Sequence, residues 1–293
     1  MKKIAFIGLG AMGRPMARNL VKRGFDVRGY DLSAAALEDL RKAGGQVAAS
    51  AAEAATGADA IVLMVVNAAQ AERILFDDGA LAVAPKGAIV CLMATCPPKT
   101  VETLAARVAE RGCAFVDAPV SGGTVGAEAG ALTIMAAAAP ATFEAARPAL
   151  EAMGSRLIHV GERPGQGAIV KTINQLLCGV HIAAAAEALA LAQKIGVDPA
   201  GVLEIVQDTA AGSWMLKNRG PRMLQSDPEV TSAVDIFVKD LGLVLEAGRD
   251  SRAALPLAAL AHQLFVSVSG RGLGAADDSQ VIRAYRALAG MVD

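Results

Sequence analysis

Short apolar runs alternate with amphipathic stretches through the first half of this 293-residue chain. The runs KIAFIG (3–8), DVRGYD (26–31), AIVLMVV (60–66), AIVCLM (88–93), AFVDAP (114–119), LTIMAA (132–137) and RLIHVG (156–161) are bounded by turn formers and rich in β-branched residues, and so predict strands. Helical periodicity falls between most of them, around 12–23, 33–43, 68–76, 98–111 and 141–153. Strands alternating with helices at this spacing predict βαβ units and a mostly parallel sheet. The strands show little alternation of polar and apolar positions, which suits a sheet covered on both faces.

The pattern changes at GERPGQG (161–167), a Gly/Pro-rich stretch that predicts a hinge. Beyond it strand signals vanish. Helices are expected over about 167–194, 199–208, 213–218, 232–249, 256–269 and 277–289, with Asp198 and Ser226 as candidate N-caps. The fold class is therefore α/β: a Rossmann dinucleotide-binding domain over residues 1–163, then an all-helical domain over 164–293. Substrate and cofactor are expected to meet in a cleft between them.

Composition narrows the function. The net charge of −1 and the lack of a basic block give no purchase for nucleic acid or an anionic membrane. Cys91, Cys96, Cys113 and Cys178 form no CxxC pair and, with three histidines, no metal spacing, so no metal site is expected and the cysteines read as reduced, cytoplasmic thiols. The uncharged stretch Thr172–Ala186 is shorter than the ~20 residues that span a bilayer, and reads as a buried helix of a soluble protein.

Within IAFIGLGAMGRPMARNL, Gly8, Gly10 and Gly13 form a GxGxxG motif directly after a strand and before a helix. Such glycines allow a tight turn, backbone approach to a pyrophosphate and close helix–strand packing. The turn Gly8, Gly10, Ala11, Met12, Gly13 is the expected phosphate cradle, and Asp31 in RGYDLS is placed to accept from ribose hydroxyls. A carboxylate there repels a 2′-phosphate. Leu32 and Ser33 offer no cation, and Arg28 shares the face of Tyr30 rather than standing at the strand end, so NAD is expected over NADP.

One lysine opens the apolar run GAIVKTINQLLCGVHIAAAAEALALA (167–192), and the next formal charge after Lys171 is Glu187. At i, i+3, i+4 and i+7, Lys171, Asn174, Gln175 and Cys178 share one helix face where an apolar stripe would be expected. A cation there costs free energy unless something uses it. Desolvation favours the neutral amine, the form that can act as a base.

Four stretches in order, FIGLGAMGRPMARNL, FVDAPVSGGTVGAEAGALTIM, GQGAIVKTINQ and FVKDLGLVLEAG, resemble the β-hydroxyacid dehydrogenase family along nearly the whole chain. The resemblance implies Lys171 as general acid/base with Asn174 orienting the reacting hydroxyl. It implies the turn Ser121, Gly122, Gly123 as the substrate-carboxylate site, since consecutive small residues make an anion-binding concavity. Gln175 joins the substrate pocket in that reading. Val66, Asn67, Thr95 and Lys239 line the cofactor, Asp240 orients interdomain packing, and Trp214 and Met215 either cap the pocket or belong to the core.

The family commonly has two adjacent asparagines after the lysine, whereas this chain has Asn174 then Gln175, and that departure argues against a strict 3-hydroxyisobutyrate enzyme. The long-helix sequence is similar to members acting on L-threonate, a polyhydroxylated acid for which Gln175 and His181 are candidate hydrogen-bonding partners. The expectation is NAD-dependent oxidation of a small hydroxy acid, L-threonate first. The alternatives are 3-hydroxyisobutyrate oxidation, tartronate-semialdehyde reduction, an imine reductase (disfavoured by Lys171) and a non-catalytic NAD-binding module. A homodimer or homotetramer is expected from the apolar long helix.

Overall fold

The computed structural model describes residues 1–291; the last two positions of the expected helical domain, Val292 and Asp293, lie outside the described residues. Among the described residues nine strands form one sheet: β1 (Lys3–Ile7), β2 (Asp26–Tyr30), β3 (Gln46–Val47), β4 (Ala60–Leu63), β5 (Ile89–Leu92), β6 (Ala114–Asp117), β7 (Val120–Ser121), β8 (Thr133–Ala137) and β9 (Arg156–Gly161). Their order is β3-β2-β1-β4-β5-β6-β8-β7, with β9 on β8. Pairing is parallel from β3 to β6 and between β8 and β9, and antiparallel where β8 meets β6 and β7.

Successive residues of these strands enter two different cores. Ile4, Phe6, Val62 and Cys91 pack on one face with Met16 and Leu20 of the helix Gly13–Lys22. Ala5, Ile7, Ile61, Leu63, Val90 and Leu92 pack on the other with Val101 and Leu104 of the helix Pro98–Glu110. Burial on both faces accounts for the missing polar alternation in the sequence. The two-residue strands β3 and β7 and the short helices Ala51–Ala55, Ala80–Val83 and Gly123–Glu128 were not expected, because runs of two to six residues carry too little periodicity to register.

The chain divides into two compact units, Met1–Lys171 and one beginning at Thr172, so the division falls inside the long helix Gln166–Lys194. The stretch expected to be a hinge is a tethered corner of the first unit. Asp117, 1% exposed at the end of β6, accepts through Oδ2 from the backbone N–H groups of Gly165 and Ala168, each at 2.9 Å. This satisfies donors that a helix start leaves orphaned and sets an anion at the positive end of the helix dipole. Gly167 makes the approach possible, since a Cβ there would stand 2.6 Å from Met135 O and 2.8 Å from Asp117 O.

In the second unit, helices Pro199–Val206, Trp214–Met223, Val234–Ser251, Pro256–Val268 and Ile282–Leu288 follow the long helix. Asp198 caps the first of them through the N–H groups of Ala200 and Gly201. Ser226 caps nothing: it lies in a bend, and the next helix begins at Val234 with Ala233 before it. Around an apolar core containing Phe237 and Phe265, stacked at 5.1 Å, two buried ion pairs cross-link the unit. Arg219 grips Asp278 in a bidentate fork at 2.9 and 2.8 Å, and Arg222 donates to Asp277 at 3.0 Å. Burial pushes the Asp278 carboxyl up despite Arg219. At Asp277 burial also pushes upward, but hydrogen bonds from Ser279, Thr231 and Arg222 outweigh it and leave that carboxyl low.

Burial pushes the Asp117 carboxyl up from the usual 3.8 to about 6, against the downward pull of the N–H groups of Ala168, Gly165 and Gly167. The folded chain therefore holds this proton more tightly than the unfolded chain does, and the stability it contributes must fall as pH rises between about 4 and 6. Urea unfolding of wild type and Asp117→Asn from pH 4 to 7.5 should show the wild-type advantage shrinking up to about pH 6 and flat above it. An advantage that grows with pH would mean that the amides outweigh the burial.

Candidate active site

Parallel strands end on one side of the sheet, and the expected cofactor residues lie just past those ends. The backbone ladder continues one residue beyond each strand, through Gly8 N–Tyr30 O at 3.0 Å and Met64 N–Ile7 O, Met93 N–Leu63 O and Ala118 N–Leu92 O at 2.9 Å each. The glycine turn, Asp31, Val66, Asn67 and Thr95 therefore share a single edge. It is the carboxyl edge at the β1/β4 switch point, where open α/β sheets bind their ligands.

The three glycines of the motif have different reasons to be glycine. Gly8 has φ +94°, and a Cβ there would lie 2.4 Å from Met64 O; at Gly13 a Cβ would come within 1.9 Å of Gly8 O. Both are demanded by the protein's own packing, ligand or no ligand. Gly10 is exposed, does not have a left-handed backbone, and a Cβ there would meet nothing within 4 Å. Internal packing does not require its missing side chain, whereas close approach of a pyrophosphate does.

The surroundings fit the same ligand. The helix Gly13–Lys22 starts with no side-chain cap and no acid in its first turn, leaving its positive end to an outside anion. Asp31 Oδ2 accepts from Leu9 N at 2.6 Å and Oδ1 from Ser33 N at 2.8 Å, which pins the carboxylate beside the glycine turn. Two carboxylate oxygens have about four acceptor positions, so capacity remains for ribose hydroxyls. Arg28 is engaged elsewhere, its Nη1 donating to Glu53 O at 3.1 Å, and Leu32 is 93% exposed.

Two cofactor candidates hold local structural positions. Asn67 Oδ1 caps the helix Ala68–Glu72 by accepting from Gln70 N at 2.9 Å, while Gln70 Oε1 accepts from Val66 N at 2.9 Å. These two side-chain bonds fix the loop backbone. The carboxylate-site candidates run from the last residue of β7, Ser121, into the turn after it: Gly122 has φ +132° and Gly123 φ +61°, so this Ser-Gly-Gly turn takes a path few other residues could follow.

On the long helix Lys171 is 6% exposed and Gln175 7% exposed, while Asn174 and Cys178 are half-buried. Asn174 Nδ2 donates to Gln175 Oε1 at 2.8 Å and to Cys178 Sγ at 3.4 Å. Gln175 Nε2 donates to Asp240 Oδ2, and Asp240 is 3% exposed. Lys239 Nζ stands 3.1 Å from Asp240 Oδ1, a contact by proximity without hydrogen-bond geometry. Asp240 thus binds Gln175, a partnership the sequence did not reveal; its one signal was an acid between the apolar positions Phe237 and Leu241 of VDIFVKDLGLVLEAG. Asp117 carried the same kind of signal, an acid at the end of a buried strand. His181 is exposed, as is Trp214 at 54%, whereas Met215 packs on the core of the second unit.

Known proteins share this fold. Residues 3–161 match the family model for the NAD binding domain of 6-phosphogluconate dehydrogenase, and residues 165–285 match the model for the NAD-binding region of NADP-dependent 3-hydroxyisobutyrate dehydrogenase. An L-threonate dehydrogenase of Cupriavidus necator is 45% identical over 97% of this chain and 96% of its own. The chain belongs to the β-hydroxyacid (3-hydroxyisobutyrate) dehydrogenase family. A 3-hydroxyisobutyrate dehydrogenase from Salmonella typhimurium superposes with a TM-score of 0.91 at 41% identity, covering 97% of this chain and 99% of that one. An NAD-dependent L-serine dehydrogenase of Pseudomonas aeruginosa is 37% identical over 97% of this chain and 98% of its own. As a member of this family the protein is a hydroxyacid dehydrogenase, and its first unit is an NAD-binding domain.

The glycines give a test that separates packing from binding. Gly10→Ala should keep the melting temperature of the wild type yet weaken NAD by roughly tenfold or more, about 1.4 kcal/mol, in calorimetric titration. Gly13→Ala should lose stability as well, because its Cβ has no room beside Gly8 O. Equal NAD affinity in Gly10→Ala and wild type would remove the pyrophosphate from this turn.

Proposed function

We propose that this dehydrogenase oxidises L-threonate with NAD. The observation that carries the reading is a buried lysine, Lys171, sharing one face of the long helix with two amides, in a chain 40–45% identical to five L-threonate dehydrogenases. A polyhydroxylated acid needs hydrogen-bonding partners that a methyl-bearing acid does not, and Asn174 supplies one.

In this reading Lys171 takes the proton of the reacting hydroxyl as the carbinol hydride leaves, and Asn174 orients that hydroxyl. The turn Ser121–Gly123 holds the substrate carboxylate on backbone N–H groups. Bound NAD supplies the hydride acceptor, so the protein's own work is position and proton transfer. Gly8, Gly10, Ala11, Met12 and Gly13 hold the pyrophosphate, Asp31 the ribose, and Val66, Asn67, Thr95 and Lys239 the remainder. Asp31 and the diversion of Arg28 to Glu53 favour NAD over NADP.

The active form is a homodimer or homotetramer in the cytoplasm. Ile169, Ile173, Leu177, Leu191 and Ile195 recur at helical spacing along the long helix and are 46–65% exposed, an apolar face that a second copy would cover. None of the four cysteines is held in a disulfide, which suits a reducing compartment.

NAD reduction should be fastest with L-threonate in a panel that includes D-erythronate, 3-hydroxyisobutyrate, D-glycerate and 4-hydroxybutyrate. Lys171→Ala should lower kcat by about 10²–10⁴-fold. A faster rate on another acid would move the substrate and keep the mechanism, whereas activity persisting in Lys171→Ala would remove the lysine from proton transfer. In sedimentation velocity the wild type should run as a dimer or tetramer and Ile173→Glu/Leu177→Glu as a monomer.

A further inference from the structure

Gln175 has both ends of its amide committed inside the protein. Its Nε2 donates to Asp240 Oδ2 and its Oε1 accepts from Asn174 Nδ2 at 2.8 Å. A carboxylate only accepts, so Asp240 dictates that Gln175 turn its NH2 toward it and its carbonyl oxygen away. That carbonyl in turn only accepts, so Asn174 must present its own NH2 to Gln175. The second hydrogen of the Asn174 amide is directed at Cys178 Sγ, 3.4 Å away. What Asn174 has left for any other partner is its carbonyl oxygen, Oδ1.

We infer that Asp240 and Gln175 are positioning residues that set the polarity of the Asn174 amide, so that Asn174 offers an acceptor oxygen to the substrate hydroxyl next to the reacting one. A hydroxyl has a single hydrogen, so the reacting hydroxyl keeps its own for Lys171 while its neighbour donates to Asn174 and fixes the carbinol in place. An inverted amide would present N–H and leave the neighbour's hydrogen without that acceptor. The chain's departure from two adjacent asparagines gains a purpose here: the additional methylene of glutamine spans from Asn174 to Asp240. Gln175 therefore acts through Asn174, a role beyond the place among the substrate-binding residues expected of it from the sequence.

The inference rests on the dehydrogenase reading above, and its test has one arm that needs no substrate. In L-threonate oxidation, Gln175→Met and Asp240→Asn should each lower kcat at least tenfold while the KM for L-threonate stays within about twofold of wild type. The double variant should be no slower than the slower single one, because Asp240 reaches Asn174 through Gln175. Losses that multiply in the double variant would overturn the relay. So would a rise in the KM for L-threonate with kcat unchanged, which would make Gln175 a substrate contact. In the second arm the side-chain amide resonances of Asn174, identified as those missing from Asn174→Asp, should shift and exchange faster with solvent in Gln175→Met and in Asp240→Asn. Unchanged resonances would overturn the inference, while a silent wild-type enzyme with shifted resonances would overturn the L-threonate reading alone. Normal NAD titration of each variant establishes that it is folded.

Discussion

The helix that bears Lys171, Asn174 and Gln175 is fixed at its start by one buried carboxylate. A helix rises 1.5 Å per residue, so an anchor in its first turn sets the position of Lys171, which follows it within the first unit. Asp117 supplies that anchor from the end of β6, and Lys171 lies only three residues beyond Ala168, whose N–H it binds. The arrangement costs desolvation, visible in the raised affinity of Asp117 for its proton. Removing the carboxylate would leave donors of the helix start orphaned inside the protein, which is the larger penalty.

The same economy recurs in the second unit. Asp278 against Arg219 and Asp240 against Gln175 place acids where apolar residues would pack without desolvation. Breaking a buried pair of the Asp278 kind costs about 3–5 kcal/mol, yet such pairs add little net stability against an apolar substitute. What they add is direction. A bidentate fork or an amide with a defined donor end admits one arrangement, whereas leucines admit several.

How far these features could be read in advance follows from the range over which each is encoded. The strand runs, the glycine turn and Asp31 are written within some thirty residues, and the structure places them in one edge of one sheet. The long helix announces itself by its lysine among apolar residues. Asp117 pairs with donors 48 and 51 positions away, Asp278 with Arg219 at 59, and Asp240 with Gln175 at 65. A sequence pattern shows that such an acid needs a partner but not which residue supplies it. Gln175 illustrates the consequence: its family position suggested the substrate pocket, and its hydrogen bond to Asp240 is seen only in the structure.

The glycine turn has one more consequence. Gly13 lies so close to Gly8 O that a single methyl has no room, and Gly8 is equally pressed against Met64 O. The two ends of this turn are thus held tightly by the protein's own backbone before any ligand arrives. Ordering a flexible loop of this size would consume several kcal/mol of conformational entropy from the binding free energy. Here that entropy is surrendered once, during folding, and each arriving cofactor finds a surface that need not change shape to receive it.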